Sequence, residues 1–292
     1  MGAQDESWTV LKLINWTKGY FAGADVHEPR LAAEVLLAHV LKCHRIDLYA
    51  RFEYRPSADE LAAFRELVAR AHRHEPVAYL VGEREFYSMP FKVSPAVLIP
   101  RPETEILVSE AVAHLRALGE PTRMWDVCTG CGCVGIATAR QVPDVQMLAT
   151  DISAAAIEVA ADNAARHGVS DRVCCRQADM LSLPGDCPQW QQVHFLSGNP
   201  PYVADGDDVA PEVEYEPKIA LYGGRNGLHQ LRRLIRSAPE FLLPGGKLAL
   251  EFGVGQAEAV CDLIAKTDAF DDPRIICDHQ ELERTAVATR LG

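Results

Sequence analysis

The run FLSGNPPYV, residues 195–203, sets Asn199, Pro200, Pro201 and Tyr202 side by side. An apolar stretch that reads as a buried strand stops there, because proline fixes its own φ, lacks a backbone N–H and restricts the residue before it. Asn199 offers a side-chain carbonyl, Pro200 a backbone carbonyl, and Pro201 has no N–H to compete for that carbonyl. Tyr202 can lay its ring over a planar group. The set reads as a rigid two-acceptor clamp with an aromatic lid, shaped for a planar NH2. An amide or aromatic amine is a poor nucleophile, because its lone pair is delocalised. Fixed acceptors on both hydrogens aim the nitrogen at an electrophile and stabilise the positive charge that grows on it. The bland alternative is a structural strand-to-loop stop, which does not require Asn, Pro, Pro and Tyr together.

A second constellation lies upstream. In DVCTGCGCVGIATA, residues 126–139, Gly130, Gly132 and Gly135 satisfy G-x-G-x-x-G, and Asp151 follows Gly135 by 16 residues. Glycines let a backbone pass close to a nucleoside cofactor, and a carboxylate after the second strand accepts hydrogen bonds from a ribose diol. This much is shared by a nicotinamide oxidoreductase. Asp126, at the end of the first strand, suits orientation of the loop or contact with a cationic amino-acid tail, and does not suit a pyrophosphate. The cofactor that fits is S-adenosylmethionine, with Asp179 and Met180 following a third strand where adenine would lie. A nicotinamide enzyme and a non-catalytic cofactor binder remain as rivals at this point. Cys128, Cys131 and Cys133 lack a fourth ligand with its own spacing, so no metal is expected.

These residues must be positioned by larger elements. Up to about residue 85 the chain reads as short amphipathic helices: Val10, Leu13, Ile14 and Thr17 recur at helical spacing, as do Leu31, Val35 and Ala38, with Pro29 in a first turn. Ser57 and Glu60 predict a capping box, ahead of a face of Leu61, Phe64, Leu67, Val68 and Ala71. Prolines and alternating Phe91 and Val93 predict a hairpin connector over 86–100. From about Thr104, apolar runs (MWDVC, VQMLATDIS, QVHFLSGN, GKLALEFG) alternate with helical segments. Such alternation predicts an α/β, doubly wound parallel sheet. The expected domains are thus 1–85, helical, and 86–292, Rossmann-like and cofactor-binding.

Composition limits the partners. The 292 residues carry a formal net charge of -12, most of it beyond Glu85. That sign disfavours sequence-independent binding to phosphate backbones, so nucleic acid is not the expected partner. No apolar run approaches a membrane span and no export signal is apparent. Nine cysteines, an odd number, read as reduced thiols in the cytoplasm.

The chain resembles the HemK-type glutamine methyltransferases that modify peptide-chain release factors. The resemblance runs through EPVAYLVGEREF, VLIPRPETE, the glycine loop, TDISAAAIEVAADNAARHG, SGNPPYV, EPKIALYGGRNGL and LPGGKLALEFGVGQ, nearly all of residues 75–256. NPPY alone is shared with amino-methyltransferases of adenine, guanine or glutamine. IPRPETE with EPKIALYGGRNGL separates the chain from the adenine enzymes and, to a lesser degree, from the ribosomal-protein glutamine branch. The resemblance implies a class I methyltransferase domain in which Asp126, Cys128, Thr129, Gly130 and Gly132 belong to the cofactor loop. By the same resemblance Asp151 holds the ribose, Asp179 and Met180 border the adenine, and Asn199 with Pro200 holds the substrate amide. It also implies that the helical region helps dock the release factor, with the factor's Gly-Gly-Gln tip entering the site; separately, the chain is expected to be a monomer. Cys128 departs from the glycine usual in the family, and its Cβ is expected to crowd either the cofactor or a left-handed turn.

Overall fold

The structure, a computed structural model, describes residues 8–119, 121–182 and 188–292. The chain clusters into two compact units: residues through Gly82 together with Ala210–Tyr215, and Glu83–Val209 together with Glu216–Gly292.

The first unit is helical: α1 (Val10–Ala22), α2 (Pro29–Val40), α3 (Asp47–Ala50), α4 (Ala58–Ala71) and α5 (Val77–Val81). Thr9 caps α1, Pro29 opens α2, and Ser57 with Glu60 forms the capping box of α4, the Glu60 carboxylate accepting from Ser57 N at 2.6 Å. Val10, Leu13 and Ile14 of α1 pack with Phe64 and Val68 of α4. On α2 the core face differs from the expected one: Ala33, Leu36 and Leu37 are fully buried, whereas Leu31 and Val35 are half-exposed. This helix is packed on most of its circumference, so apolar spacing alone could not single out a face. The short piece Ala210–Tyr215 completes the unit, the Tyr215 hydroxyl donating to the Arg73 carbonyl at 2.8 Å.

The second unit opens with a hairpin, β1 (Glu83–Phe86) and β2 (Met89–Lys92), turning through Tyr87 and Ser88 with φ of 51° and 57°. Then come α6 (Glu105–Leu118), β3 (Thr122–Val127), α7 (Cys133–Gln141), β4 (Val145–Asp151), α8 (Ala154–Arg166), β5 (Val173–Gln177) and β6 (Val193–Gly198). The remainder is α9 (His229–Ser237), β7 (Leu242–Glu251), α10 (Ala257–Ala265), β8 (Arg274–Cys277) and β9 (Glu283–Thr289). The seven-stranded sheet has the order β5-β4-β3-β6-β7-β9-β8; the first five strands are parallel and β9 runs antiparallel to both neighbours. Its core strands are buried on both faces, as parallel sheets require, around Trp125, Leu148, Leu196, Leu248 and Phe252. The chain winds one way from β3 to β4 and the other way to β6. The carboxyl ends of these strands therefore flank the crevice where such sheets take their ligands.

Candidate active site

Strand β3 delivers Asp126 to that crevice. The carboxylate is almost fully buried and accepts from Ser197 Oγ on β6 and Thr129 Oγ1 in the following loop, both at 2.6 Å. Burial pushes its pKa up to about 6, against those two hydrogen bonds, which pull it down. Asp126 thus ties the glycine loop to the neighbouring strand. Within the loop, Cys128 has φ of 57°, so the left-handed turn anticipated there is made by a non-glycine residue. Burial, reinforced by Asp151, Asp126 and Asp179, drives its thiol well above the usual range.

Gly130 sits at the crevice, and a Cβ built there meets no protein atom within 4 Å. Its N–H donates to Asp151 Oδ2 at 3.0 Å, while Asp151 Oδ1 accepts from Ser153 N at 2.9 Å. Each oxygen keeps lone pairs for a further donor. Gly132 takes a different part: at φ 83° it begins α7, and a Cβ there would stand 2.8 Å from Ile136 and 3.2 Å from Ala160 of α8. It lets helix approach helix and is not among the residues lining the cleft.

Asp126, Cys128, Thr129, Gly130, Asp151, Asp179, Met180, Asn199 and Pro201 all line one cleft, joined by Val97, Ile152 and Ile219. Asp179 is also bound by Arg233 of α9 through two hydrogen bonds of 3.0 and 2.8 Å, which hold its pKa below the usual carboxylate range. Among the described residues three carboxylates line the cleft beside a single lining cation, Arg101, which is itself paired with the buried Glu216, while Arg233 pairs Asp179 from α9. A pyrophosphate would meet repulsion here. A nucleoside bearing a sulfonium and an ammonium tail matches the donor set: a ribose partner in Asp151, apolar walls in Ile152 and Met180, and surrounding negative charge.

Asn199 and Pro201 reach the cleft from the end of β6, while Pro200 is buried and Tyr202 stands behind, donating to Glu251 Oε1 at 3.2 Å. Two glycines of LYGGRNGL hold this segment. A Cβ on Gly223 would lie 2.3 Å from the Pro201 carbonyl oxygen, and one on Gly227, at φ 70°, 2.0 Å from that of Tyr202. The Tyr202 carbonyl also accepts from Gln256 Nε2 at 3.0 Å, and Val203 N donates to Leu221 O at 2.9 Å. The second motif is therefore a collar around the first. Asn163 of α8, fully buried, plays a similar part for the glycine loop: its Nδ2 donates to Cys131 O at 2.9 Å and to Lys92 O at 3.0 Å, and its Oδ1 accepts from Lys92 N at 2.8 Å. Sequence reading singled out neither Asn163, Glu251 nor Arg233.

The chain is 40% identical over 295 residues to the release factor glutamine methyltransferase of Geobacter sulfurreducens, a match covering 100% of both chains. It belongs to the release factor glutamine methyltransferase family. The protein of that name from Rhodopirellula baltica is 37% identical, over 97% of this chain and 96% of its own. Residues 12–82 match the family model described as PrmC N-terminal domain, and residues 103–214 the Methyltransferase small domain. The fold recurs in a solved methyltransferase from Pyrococcus furiosus, 15% identical, with a TM-score of 0.53 over 81% of this chain and 100% of that one.

Proposed function

We propose that this enzyme transfers a methyl group from S-adenosylmethionine to the side-chain amide nitrogen of the glutamine in the Gly-Gly-Gln tip of a peptide chain release factor. The observation that carries the reading is the placement of Asn199, at the end of β6, on the same cleft as Asp151 and the glycine loop. When bound, S-adenosylmethionine supplies an electrophilic methyl carbon on a positively charged sulfur. Asp151 would hold the ribose, Ala178 to Met180 the adenine, and the Asp126-anchored loop the amino-acid tail. Asn199 Oδ1 accepts one amide hydrogen from the cleft and so fixes the nitrogen's direction; the second acceptor that the resemblance implies, the Pro200 carbonyl, belongs to a buried residue that is not part of the cleft lining. As positive charge grows on that nitrogen the same acceptor stabilises it, and one proton leaves to solvent afterwards. Burial lifts the Tyr202 phenol far above its usual range, so the hydroxyl stays protonated and keeps its bond to Glu251.

The N-terminal residues 1–85 are assigned to docking the release factor and residues 86–292 to catalysis, although the structure closes the helical unit at Gly82 and begins the hairpin at Glu83. The match of residues 12–82 to the family's N-terminal domain supports this, as does the exposed Trp16, stacked on Tyr20 with centroids 5.1 Å apart. A cytoplasmic monomer fits the composition; among the described residues no helix is long and apolar enough to cross a membrane.

The test is transfer of radiolabelled methyl to a purified release factor, beside a copy whose tip glutamine is alanine, and beside DNA and rRNA. Label on the intact factor alone is expected. Label on nucleic acid would refute the substrate assignment. Asn199→Ala should cut turnover far more than cofactor affinity, since it removes one acceptor of the clamp and leaves Asp151 untouched.

A further inference from the structure

Behind Asn199 lies a chain of polar groups that the transfer itself does not employ. Glu251, the last residue of β7, is fully buried; its Oε2 accepts from Thr104 Oγ1 at 2.6 Å and its Oε1 from the Tyr202 hydroxyl. Thr104, also buried, receives Asn199 Nδ2 on the same oxygen at 3.3 Å. The three partners come from positions 95 and 147 residues apart along the chain.

We propose that Glu251, acting through Thr104, is a positioning residue that fixes which end of the Asn199 amide faces the substrate. The inference rests on the reading of Asn199 as a clamp for the substrate NH2. Its logic is the direction of hydrogen bonds. Burial raises the Glu251 pKa to about 7, so the carboxylate is ionised above that pH; an ionised carboxylate only accepts, and the single Thr104 hydroxyl proton is then committed to Glu251. Thr104 Oγ1 then has only lone pairs to offer, and of the two ends of Asn199 only Nδ2 can meet a lone pair. Oδ1 is thereby turned away from Thr104, leaving an acceptor where an N–H donor must bind. With the amide reversed, Nδ2 would confront the substrate nitrogen, donor against donor, and the clamp would hold nothing.

The carboxylate has no evident merit as packing. Burying a charge costs several kcal/mol even after relaxation, and two neutral hydroxyl donors offset only part of it. A glutamine of the same shape would be cheaper to bury. It would also carry an NH2 that can donate to Thr104, releasing the hydroxyl proton toward Asn199 Oδ1 and stabilising the reversed amide. Glu251→Gln therefore keeps volume and inverts polarity.

The experiment measures methyl transfer by the full chain to a release factor, giving kcat and KM, with S-adenosylmethionine affinity by calorimetry and thermal melting on the same samples. Glu251→Gln is expected to lower kcat by about ten- to hundredfold, the scale of losing one oriented polar contact, with cofactor Kd within about twofold of the parent. Thr104→Val should reproduce that fall and Thr104→Ser should restore most of it. The double variant Glu251→Gln with Thr104→Val should lose no more than either alone, since both interrupt one relay. Parental kcat in Glu251→Gln, or losses that multiply in the double variant, would overturn the relay. Should Glu251→Gln fail to fold, equal turnover by Thr104→Val and Thr104→Ser overturns it instead. Failure of the parent enzyme to label the release factor is a separate outcome, which removes the clamp reading and the relay with it.

Discussion

Substituting Gly227 by alanine probes whether the glycine collar holds the Asn-Pro-Pro-Tyr segment in place. Gly227 has φ of +70°, and the added Cβ would fall 2.0 Å from the Tyr202 carbonyl oxygen and 2.6 Å from Gln256 Nε2. A left-handed conformation costs an L-residue roughly 1–2 kcal/mol. Forcing backbone apart in a packed site adds roughly 1–3 kcal/mol. Alanine's smaller loss of chain entropy returns roughly 0.4–1 kcal/mol. The net destabilisation is roughly 1–5 kcal/mol, which at roughly 2–4 °C per kcal/mol for a unit of this size lowers the melting temperature by roughly 2–20 °C. Because the oxygen that must move belongs to Tyr202, turnover should fall with it. Asp151 and Gly130 lie on other strands and loops, so cofactor affinity should change much less. The assay is thermal unfolding of the full chain with calorimetric titration of S-adenosylmethionine and single-turnover methyl transfer. A melting temperature within about 2 °C of the parent together with unchanged turnover would refute the collar.

Other expectations follow from the same geometry. Asp151→Ala removes the ribose acceptor and leaves Gly130 N and Ser153 N without their partner; cofactor affinity by calorimetry should fall by at least about tenfold, and an unchanged value would end the ribose assignment. Asp126 is protonated more readily folded than unfolded, its pKa lying at about 6 against 3.8. The folded protein therefore holds the extra proton between these values, and the stability the group contributes is present below about pH 4 and lost as pH rises through 6. In urea unfolding, Asp126→Asn should gain on the parent by up to about 3 kcal/mol between pH 4 and 7, and parallel pH curves would contradict this. Cys128→Ala and Cys128→Gly remove the same thiol but differ in relief of the left-handed turn; the glycine variant should be more stable by roughly 0.5–1 kcal/mol, and a more stable alanine variant would show the turn to be unstrained.

What could be read from the sequence was what is encoded locally. The capping box of Ser57 and Glu60, the glycine loop entering α7 and the proline stop after β6 each lie within a few residues of their effect. The hairpin turn at Tyr87 and Ser88 carries no Asn-Gly signal, although both residues have positive φ, so only the surrounding prolines and alternation hinted at it. Glu251 and Thr104 are 147 residues apart, Asp179 and Arg233 are 54 apart, and Asn163 reaches both Lys92 and Cys131. Such pairings leave no period in the chain, because they arise only once the strands are in register. The antiparallel strands β8 and β9 escaped for a related reason: they close the sheet's edge beyond the last strand-helix alternation.

The excursion of Ala210–Tyr215 into the helical unit alters how the two halves can be dissected. A polypeptide of residues 83–292 would retain this hexapeptide and lose the helical unit it clusters with. One of residues 1–82 would lack the Tyr215 hydroxyl that the Arg73 carbonyl accepts. Neither cut follows a natural seam. Measured on truncations, a loss of methyl transfer would confound a missing docking surface with a loop torn from its anchor beside Glu216, whose carboxylate accepts from Ile99 N and is gripped by Arg101 at the cleft wall. Side-chain substitutions, which leave both units whole, therefore probe each of them more cleanly than truncation does.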